Sequence, residues 1–389
     1  MARHYGLDWL RIGAFALLIF YHIGMVFVPW GFHAQTADPV DWVAIPMMAI
    51  NPWRLALLFV VSGYASRALL RKGSGLGAFA RSRSARLLVP LLFGMILIVP
   101  VQPWIELTTQ HGYRASFWHF LAYHYYGFAK LGGIYLPATQ HLWFVLYLWL
   151  YTMILLLAAA SLGGRSLQRG FDTLFGGTRL WILPMLWLVA VSAWLFPGAR
   201  ETHAVWGDWV AHATYLPAFL FGFGFAGSRA GFAATARLWR WAAVVAVGAY
   251  AVVVGIEYAW PVNVVPPFPY GHIFSAARAV QGWSAIVALI GFADLHWNHD
   301  HPWRATLTEA VFPFYIIHQT VIVGVEGALL PYGLHPMAEF AILVVCTVAA
   351  CWAFYLVGRE VRWLRPLIGL RRRGPVHPPA TATLASEEA

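Results

Sequence analysis

Arg11 and His22 stand eleven residues apart near the amino terminus, in a stretch that is otherwise strongly apolar. Eleven residues of α-helix make about three turns, so the two side chains share one face and lie about 16 Å apart along the axis. No Asp, Glu, Lys or Arg occurs between residues 12 and 30. An ionisable side chain inside such a helix is a candidate functional group, and imidazole transfers protons near neutral pH. The alternative is a histidine that hydrogen-bonds to a neighbouring helix as a packing contact.

A second group of cations precedes another apolar segment. Arg83 and Arg86 are three residues apart at a predicted helix start, so their side chains share a face. Guanidinium groups match phosphate oxygens in geometry and charge, which predicts a phosphate-binding site. Basic residues at a helix end can also be plain markers of membrane topology, and the sequence leaves both interpretations open.

Two further histidines, His141 and His318, lie in or beside apolar segments. His318 is about twelve residues from the start of its predicted helix, as His22 is in the first helix, so the two imidazoles are expected at similar depth. We therefore predict a polar site shared by these two helices. His141 either supports that site or is an aromatic neighbour at the membrane surface.

Charged residues near these positions have predicted roles as well. Asp8 lies about 21 Å from His22 along a helix, too far to orient the ring, and is expected to pair with Arg11 or with residues 83–86. Three later charges fall near the outer ends of three predicted helices, where they either pair with one another or line an entrance for a polar acceptor. These are Glu257, Arg278 and Glu326.

The elements that carry these residues are predicted to be membrane-spanning helices. The chain of 389 residues is 60% hydrophobic and only 11% charged, which excludes an ordinary soluble domain. Ten segments are apolar and long enough to span a bilayer, so we predict an all-α, polytopic helical bundle. The segments are residues 10–30, 51–70, 87–105, 141–161, 180–197, 209–228, 239–259, 273–293, 306–329 and 336–358.

Charge placement orients this predicted bundle. Of the 26 Lys and Arg residues, 21 fall on the side that holds the amino terminus. Under the positive-inside rule both termini are cytoplasmic. The net charge of +10 then follows from topology and anionic lipid headgroups, and it gives no support to nucleic-acid binding. The basic amino terminus, followed by a long apolar run without a cleavage-site pattern, predicts an uncleaved membrane anchor.

The chain is predicted to form one membrane domain, residues 1–373. A Pro-, Ala- and Thr-rich tail follows at residues 374–389 and is expected to be disordered. Cys346 and Cys351 point to different faces of one predicted helix, which predicts neither a disulfide nor a metal site. No internal repeat and no pair of interrupted helices is visible, although both are typical of many transporters.

Six short motifs occur in a fixed order along the chain. They are Leu7-Asp8-Trp9-Leu10-Arg11 with His22, Phe59-Val60-Val61-Ser62-Gly63-Tyr64, Arg83-Ser84-Ala85-Arg86 before Leu87 and Pro90, His141-Leu142-Trp143-Phe144, Tyr215-Leu216-Pro217, and Tyr315 with His318. In this order they resemble the acyltransferase family 3 membrane proteins over nine of the ten predicted helices. Within that family the chain is most similar to the glucan biosynthesis protein C type.

The resemblance implies transfer of an acyl group, succinyl or acetyl, from cytoplasmic acyl-CoA to a hydroxyl of an extracytoplasmic glycan, with a periplasmic glucan as the expected acceptor. It implies that His22 is the catalytic residue and that Arg11, Arg83 and Arg86 bind acyl-CoA, a co-substrate and not a resident cofactor. The expected location is the bacterial cytoplasmic membrane. The chain lacks the periplasmic esterase-like domain of many family members, which favours a stand-alone glucan modifier.

The residues themselves agree with this chemistry but leave alternatives. Acyl transfer to an alcohol needs a base that takes the hydroxyl proton, and histidine suits that task. A proton-coupled transporter or flippase would instead use His22 and His318 as a proton relay or substrate path. A sensor would keep the fold and bind ligand without turnover. The sequence identifies neither the group that orients His22 nor the donor that would stabilise an oxyanion.

Overall fold

The computed structural model describes residues 4–72, 75–261 and 264–372. Its regular structure is almost entirely helical, which confirms the predicted all-α class. The exception within these ranges is a short antiparallel ribbon of two strands, β1 (Lys130–Leu131) and β2 (Ile134–Tyr135). The tail predicted to be disordered, residues 374–389, lies outside the described residues.

The described chain contains fourteen α-helices. They are α1 (Tyr5–Gly24), α2 (Ala44–Lys72), α3 (Leu76–Phe93), α4 (Val101–Gln110), α5 (Phe117–Phe120), α6 (Trp143–Leu162), α7 (Gly164–Leu174), α8 (Arg179–Ala190), α9 (Trp209–Phe225), α10 (Arg229–Ala259), α11 (Tyr270–His296), α12 (Pro302–Leu329), α13 (Pro336–Glu360) and α14 (Leu364–Leu367). Helices α3, α5 and α8 continue directly into π-helical turns. These turns are Gly94–Ile98, Leu121–Tyr125 and Val191–Leu195.

Seven helices in the described ranges are long and apolar enough to cross a membrane, and there are up to nine spans if each of two bent pairs counts as one. The remaining predicted span corresponds to α9, whose 17 residues rise about 26 Å, at the lower limit for crossing a bilayer. Helix α10 exposes large apolar side chains such as Trp241 and Val247, as a lipid-facing helix would. Ten spans and cytoplasmic termini stay predictions.

The third predicted span differs from expectation in its shape. The sequence indicated one segment over residues 87–105, whereas α3 begins at Leu76 and the helix bends by 40° into α4. Pro100 stands at the bend, where it removes a backbone N–H and its ring clashes with the helix before it. This bend lies within a continuous apolar run, so the hydropathy pattern does not reveal it. A second bend, of 86°, separates α7 from α8.

Helix α1 lies among α2, α11, α12 and α13. After α1 the chain folds back on itself, and the Thr36 amide donates to the Val26 carbonyl oxygen at 3.1 Å. The side-chain amide of Gln110, at the end of α4, donates to the carbonyl oxygens of Phe32 and His33. The carboxyl end of α1 is therefore covered by a loop that α4 holds in place.

Helices α2 and α9 meet at backbone contact through glycine. A Cβ atom at Gly63 would collide with the Phe219 carbonyl oxygen, and one at Gly222 would collide with the Val60 carbonyl oxygen. Small residues allow such close approach of helices in membrane bundles. Gly63 belongs to one of the six sequence motifs, so that motif has a packing role in this fold.

We expect Gly63→Ala to lower the thermal stability of the protein in detergent, because the added methyl group must push α2 away from α9. Overpacking of this kind costs about 1–3 kcal/mol. Gly248→Ala in α10 is the matched control, since a Cβ there meets no atom within 4 Å and alanine favours helix. Unfolding temperatures measured in one detergent make the test, and equal values for the two variants would contradict the close contact.

Candidate functional site

A large cavity opens into the bundle beside α1. Its volume is about 1820 Å³, and its walls come from α1, α2, α6, α8, α9, α10, α11 and α12 together with the loops that join them. Four of the residues predicted from the sequence line it, namely His22, His141, Glu257 and Arg278. The arginines predicted to bind acyl-CoA do not line it. The predicted site residues therefore fall into two groups.

His22 and His318 are joined by a hydrogen bond at this cavity. His22 Nδ1 lies 2.9 Å from His318 Nε2. His318 Nδ1 lies 2.8 Å from the Tyr315 carbonyl oxygen and 3.2 Å from that of Phe314, so this nitrogen carries a proton. His318 Nε2 is then an acceptor, and His22 Nδ1 donates to it. The other nitrogen of His22, Nε2, has no hydrogen-bond partner in the described part of the chain and keeps a lone pair.

The two rings differ in their access to the cavity. His318 is fully buried, whereas His22 is half-buried and lines the cavity. The hydroxyl of Tyr315, whose carbonyl holds His318, donates to the backbone carbonyl of His141. The bond from His318 fixes which nitrogen of His22 carries the proton. A second imidazole therefore orients His22, in the position where a carboxylate is the more usual partner.

A network of buried amides lies next to this pair. His141 Nε2 donates to the Ile316 carbonyl oxygen at 3.1 Å, and its Nδ1 lies 3.3 Å from Gln102 Nε2. Gln102 also donates to the Thr320 hydroxyl at 2.7 Å and accepts from Gln319 Nε2 at 3.0 Å. Gln102 reaches this position because the helix bends between α3 and α4. The network ties α4 and the turn just before α6 to the middle of α12.

Charged side chains form another part of the cavity wall. Arg54 is 5% exposed, donates to Asn51 Oδ1 at 2.9 Å, and places its guanidinium 3.3 Å from the centre of the Tyr21 ring. Arg278 is half-buried on the same wall, near enough to Arg54 and Glu257 for electrostatic interaction. This part of the wall therefore carries two arginines and a carboxylate.

Glu326 does not line this cavity. It is fully buried in α12 and interacts electrostatically with Glu339, which is 1% exposed at the start of α13. Of the three charges predicted near the outer helix ends, the structure brings Glu257 and Arg278 to the cavity and separates Glu326 from them. Depth along a helix is readable from sequence, but the face that meets a cavity depends on packing.

The arginines predicted to bind acyl-CoA gather at the other end of α1. Arg86 is exposed and lies within electrostatic range of Arg11 and of Arg83. Arg371, which follows α14, also acts on Arg86 electrostatically. Side chains from three separate parts of the chain therefore concentrate positive charge here. Arg371 was not among the residues singled out from the sequence.

Asp8 forms an ion pair with Arg304 across the interface of α1 and α12. Asp8 Oδ2 lies 3.1 Å from Arg304 Nη1, and Arg304 Nε lies 2.6 Å from Asp300 Oδ1. The partners expected from the sequence are Arg11 and residues 83–86, and Arg304 is not among them. The partner is 296 positions away along the chain, beyond the reach of helical spacing. This ion pair joins the same two helices as the histidine pair.

Several polar groups around the cavity were not identified as site residues from the sequence. They include Gln102, a pair in which His33 Nδ1 lies 2.5 Å from Glu106 Oε2, and Glu201, which accepts from the Tyr215 hydroxyl at 2.7 Å. Gln102 offered a signal, because it is an isolated amide in an apolar run. His33 and Glu201 lie in loops, where polar residues are ordinary and give no signal.

The chemistry available here is that of proton transfer and anion binding. Among residues 4–72, 75–261 and 264–372, no group of three or more His, Cys, Asp or Glu side chains could hold a metal ion. Both cysteines, Cys346 and Cys351, are free thiols in α13. An oriented imidazole with a free lone pair, next to buried cations, suits removal of a proton from a substrate hydroxyl.

The chain is similar to proteins of a described family. A family model for an acyltransferase domain, Acyl_transf_3, matches residues 4–356. Glucans biosynthesis protein C from Escherichia coli O1:K1 / APEC and that from Escherichia coli O9:H4 (strain HS) are each 28% identical over 152 residues. The match covers 39% of this chain and 38% of each relative, so well under two thirds of those proteins is spanned. No solved structure matches the chain.

We expect His318→Phe to release His22 from a single tautomer, because phenylalanine keeps a ring in place but removes the acceptor for His22 Nδ1–H. Nitrogen NMR of histidine-labelled protein, with His22→Ala to assign the signal, measures the tautomer. Phe32→Leu is the control, since Phe32 contacts the His22 ring by stacking alone, with centroids 6.4 Å apart. An unchanged His22 signal in His318→Phe would show that the bond does not set the tautomer.

Proposed function

Because the chain belongs to the acyltransferase 3 family and is a multi-pass membrane acyltransferase, we propose that it transfers an acyl group from cytoplasmic acyl-CoA to a hydroxyl of an extracytoplasmic glycan. His22 is the general base in this proposal. The observation that carries it is the hydrogen bond from His22 Nδ1 to His318, which leaves Nε2 unprotonated at the cavity. Such an imidazole can accept a proton without any prior rearrangement.

The proposed reaction is a direct transfer. His22 Nε2 takes the proton of the acceptor hydroxyl while the hydroxyl oxygen attacks the thioester carbonyl carbon. The carbonyl π electrons move to oxygen and then return as the carbon–sulfur bond breaks. The CoA thiolate leaves and takes the proton back from His22, so the products are an ester and free CoA thiol. His318 remains neutral throughout and holds the His22 ring.

The arginine cluster supports acyl-CoA as the donor. Arg11, Arg83 and Arg86 lie close together at the end of α1 that is predicted to be cytoplasmic, and guanidinium groups bind phosphate through charge-assisted hydrogen bonds. Arg11 is about 16 Å from His22 along the helix axis. An extended pantetheine arm could bridge that separation, with the phosphates outside and the thioester beside His22.

The cavity supports a large polar acceptor on the opposite side. A volume of about 1820 Å³ leaves space for a saccharide chain next to His22. Glu257 and Arg278 are the charged side chains that we propose at its entrance, whereas the position of Glu326 gives it no such contact. The name of the Escherichia coli relatives, Glucans biosynthesis protein C, favours a periplasmic glucan as acceptor and the inner membrane as location. A succinyl or acetyl donor is part of the same proposal.

A transporter or flippase is the second candidate function. The helix bends at α3–α4 and α7–α8 favour it, because broken helices are typical of transporters. The arginine cluster and the family membership argue for group transfer. Release of free CoA thiol by the purified protein in detergent distinguishes the two functions, because transport requires two compartments and consumes no acyl-CoA.

We expect His22→Ala to reduce glycan acylation by at least about 10²-fold, the usual contribution of a general base, while membrane insertion and unfolding temperature stay near those of the parent. The measurement is mass spectrometry of periplasmic glycans from cells that lack the gene for this protein and express each variant in its place. His296→Ala, an exposed histidine at the end of α11, is the matched control and should keep full acylation. Normal acylation by His22→Ala would refute the proposed role.

The double variant Arg83→Ala with Arg86→Ala is expected to weaken CoA binding by more than tenfold, since hydrogen bonds to charged groups contribute about 1.5–3 kcal/mol each. Titration of CoA into the purified protein in detergent measures this. Arg237→Ala with Arg240→Ala is the control, because these two arginines have the same spacing on α10 and are exposed. If both double variants bind CoA with equal affinity, Arg83 and Arg86 do not bind its phosphates and serve only as markers of membrane topology.

A further inference from the structure

The proposed reaction at His22 creates a negative charge that neither His22 nor His318 stabilises. When the acceptor oxygen adds to the thioester, the carbonyl oxygen becomes an oxyanion inside a bundle of low dielectric constant. Donors aimed at that oxygen usually provide the largest single contribution to catalysis. A donor on the cavity wall near His22 must therefore stabilise this charge. The inference that follows rests on the proposed acyl transfer.

Donors close to His22 are mostly engaged already. The Tyr315 hydroxyl donates to the His141 carbonyl, and His141 Nε2 donates to the Ile316 carbonyl. The Gln319 amide donates to Gln102. Each of these protons satisfies a buried acceptor within the protein, and its withdrawal would leave that acceptor without a partner. They are poor candidates for an oxyanion donor.

Arg54 differs from these groups in two ways. Its Nε–H is buried and has no hydrogen-bond partner among the described residues. The residue as a whole is only 5% exposed. It lines the same cavity as His22 and is the permanent cation among the groups that act on His22 electrostatically. A buried donor without a partner is costly unless a ligand or an intermediate occupies it.

The backbone beneath Arg54 is rigidly held. Pro52 has no N–H, so the Met48 carbonyl oxygen four residues before it lacks its usual helical partner. Gln281 Nε2 from α11 takes that place, at 3.0 Å from the Met48 oxygen and 3.1 Å from that of Ala49. With Asn51 holding one terminal nitrogen of Arg54, the guanidinium is oriented before any substrate binds. Such preorganisation is what oxyanion stabilisation requires.

We propose that Arg54 is a catalytic residue that donates to the oxyanion formed when the acceptor hydroxyl attacks the thioester next to His22. The oxygen gains the electron pair of the carbonyl π bond, and an N–H of the Arg54 guanidinium stabilises the resulting charge without giving up its proton. When the carbon–sulfur bond breaks, the pair returns to the carbonyl and the CoA thiolate leaves with the proton from His22. Arg54 is thus unchanged over the cycle.

The experiment is steady-state kinetics of the purified full-length protein with acyl-CoA and an acceptor glycan. Arg54→Gln should lower kcat by about 10²- to 10³-fold with little change in KM for either substrate, the pattern of an interaction made only in the transition state. Arg54→Lys keeps the charge without the guanidinium geometry and should give an intermediate loss. Arg114→Gln, at an exposed arginine that does not line the cavity, is the matched control.

Two results would overturn the inference. One is a normal kcat in Arg54→Gln, and the other is a raised KM with normal kcat, which would make Arg54 a ground-state binding group. If Arg54→Gln does not fold, Arg54→Lys decides, since lowered kcat at an unchanged unfolding temperature supports the inference and a normal kcat refutes it. His22→Ala is measured alongside: activity in that variant refutes the proposed function itself, whereas an inactive His22→Ala with active Arg54→Gln refutes Arg54 alone.

Discussion

The hydrogen bond between His22 and His318 is the interaction on which the remaining site depends. An imidazole inside an apolar bundle is useful as a base only if one chosen nitrogen is free, and that choice is made by the bond on the other nitrogen. His318 makes the choice because its own Nδ1–H is fixed on the Tyr315 carbonyl of the same helix. The orientation of the His22 ring therefore depends on a backbone carbonyl of α12, which does not titrate. No buried carboxylate is needed to hold the ring.

The fold around this bond holds the two helices in register. The ion pair of Asp8 with Arg304 joins α1 and α12 at one end, and the histidines join them within the cavity wall. The bend at Pro100 brings Gln102 against α12, where the amide network gives buried polar groups their partners. Because an unsatisfied buried polar group costs about 1–3 kcal/mol, this network also disfavours displaced arrangements of α4.

Charge is separated along the length of α1. Positive side chains from α1, α3 and the segment after α14 gather at one end, whereas the cavity at the other end mixes arginines with carboxylates and aromatic rings. The proposed substrates, a polyanionic acyl-CoA and a neutral or weakly charged sugar, need different surroundings. Membership of the acyltransferase 3 family and the separation of these two regions are consistent with a reaction between substrates that approach from opposite sides.

The sequence alone determined the helical class, the membrane location of the chain and most of the candidate site residues. Apolar segment length and isolated polar residues are local properties, so a sequence shows them directly. It placed His22 and His318 at similar depth, since depth follows from rise per residue. Only the tertiary structure decided which neighbours these side chains meet. Packing between segments far apart in the chain decides these contacts, and no periodicity in the sequence records it. Examples are the pairing of Asp8 with Arg304, the burial of Glu326 beside Glu339, the bend at Pro100 and the unpartnered Nε–H of Arg54.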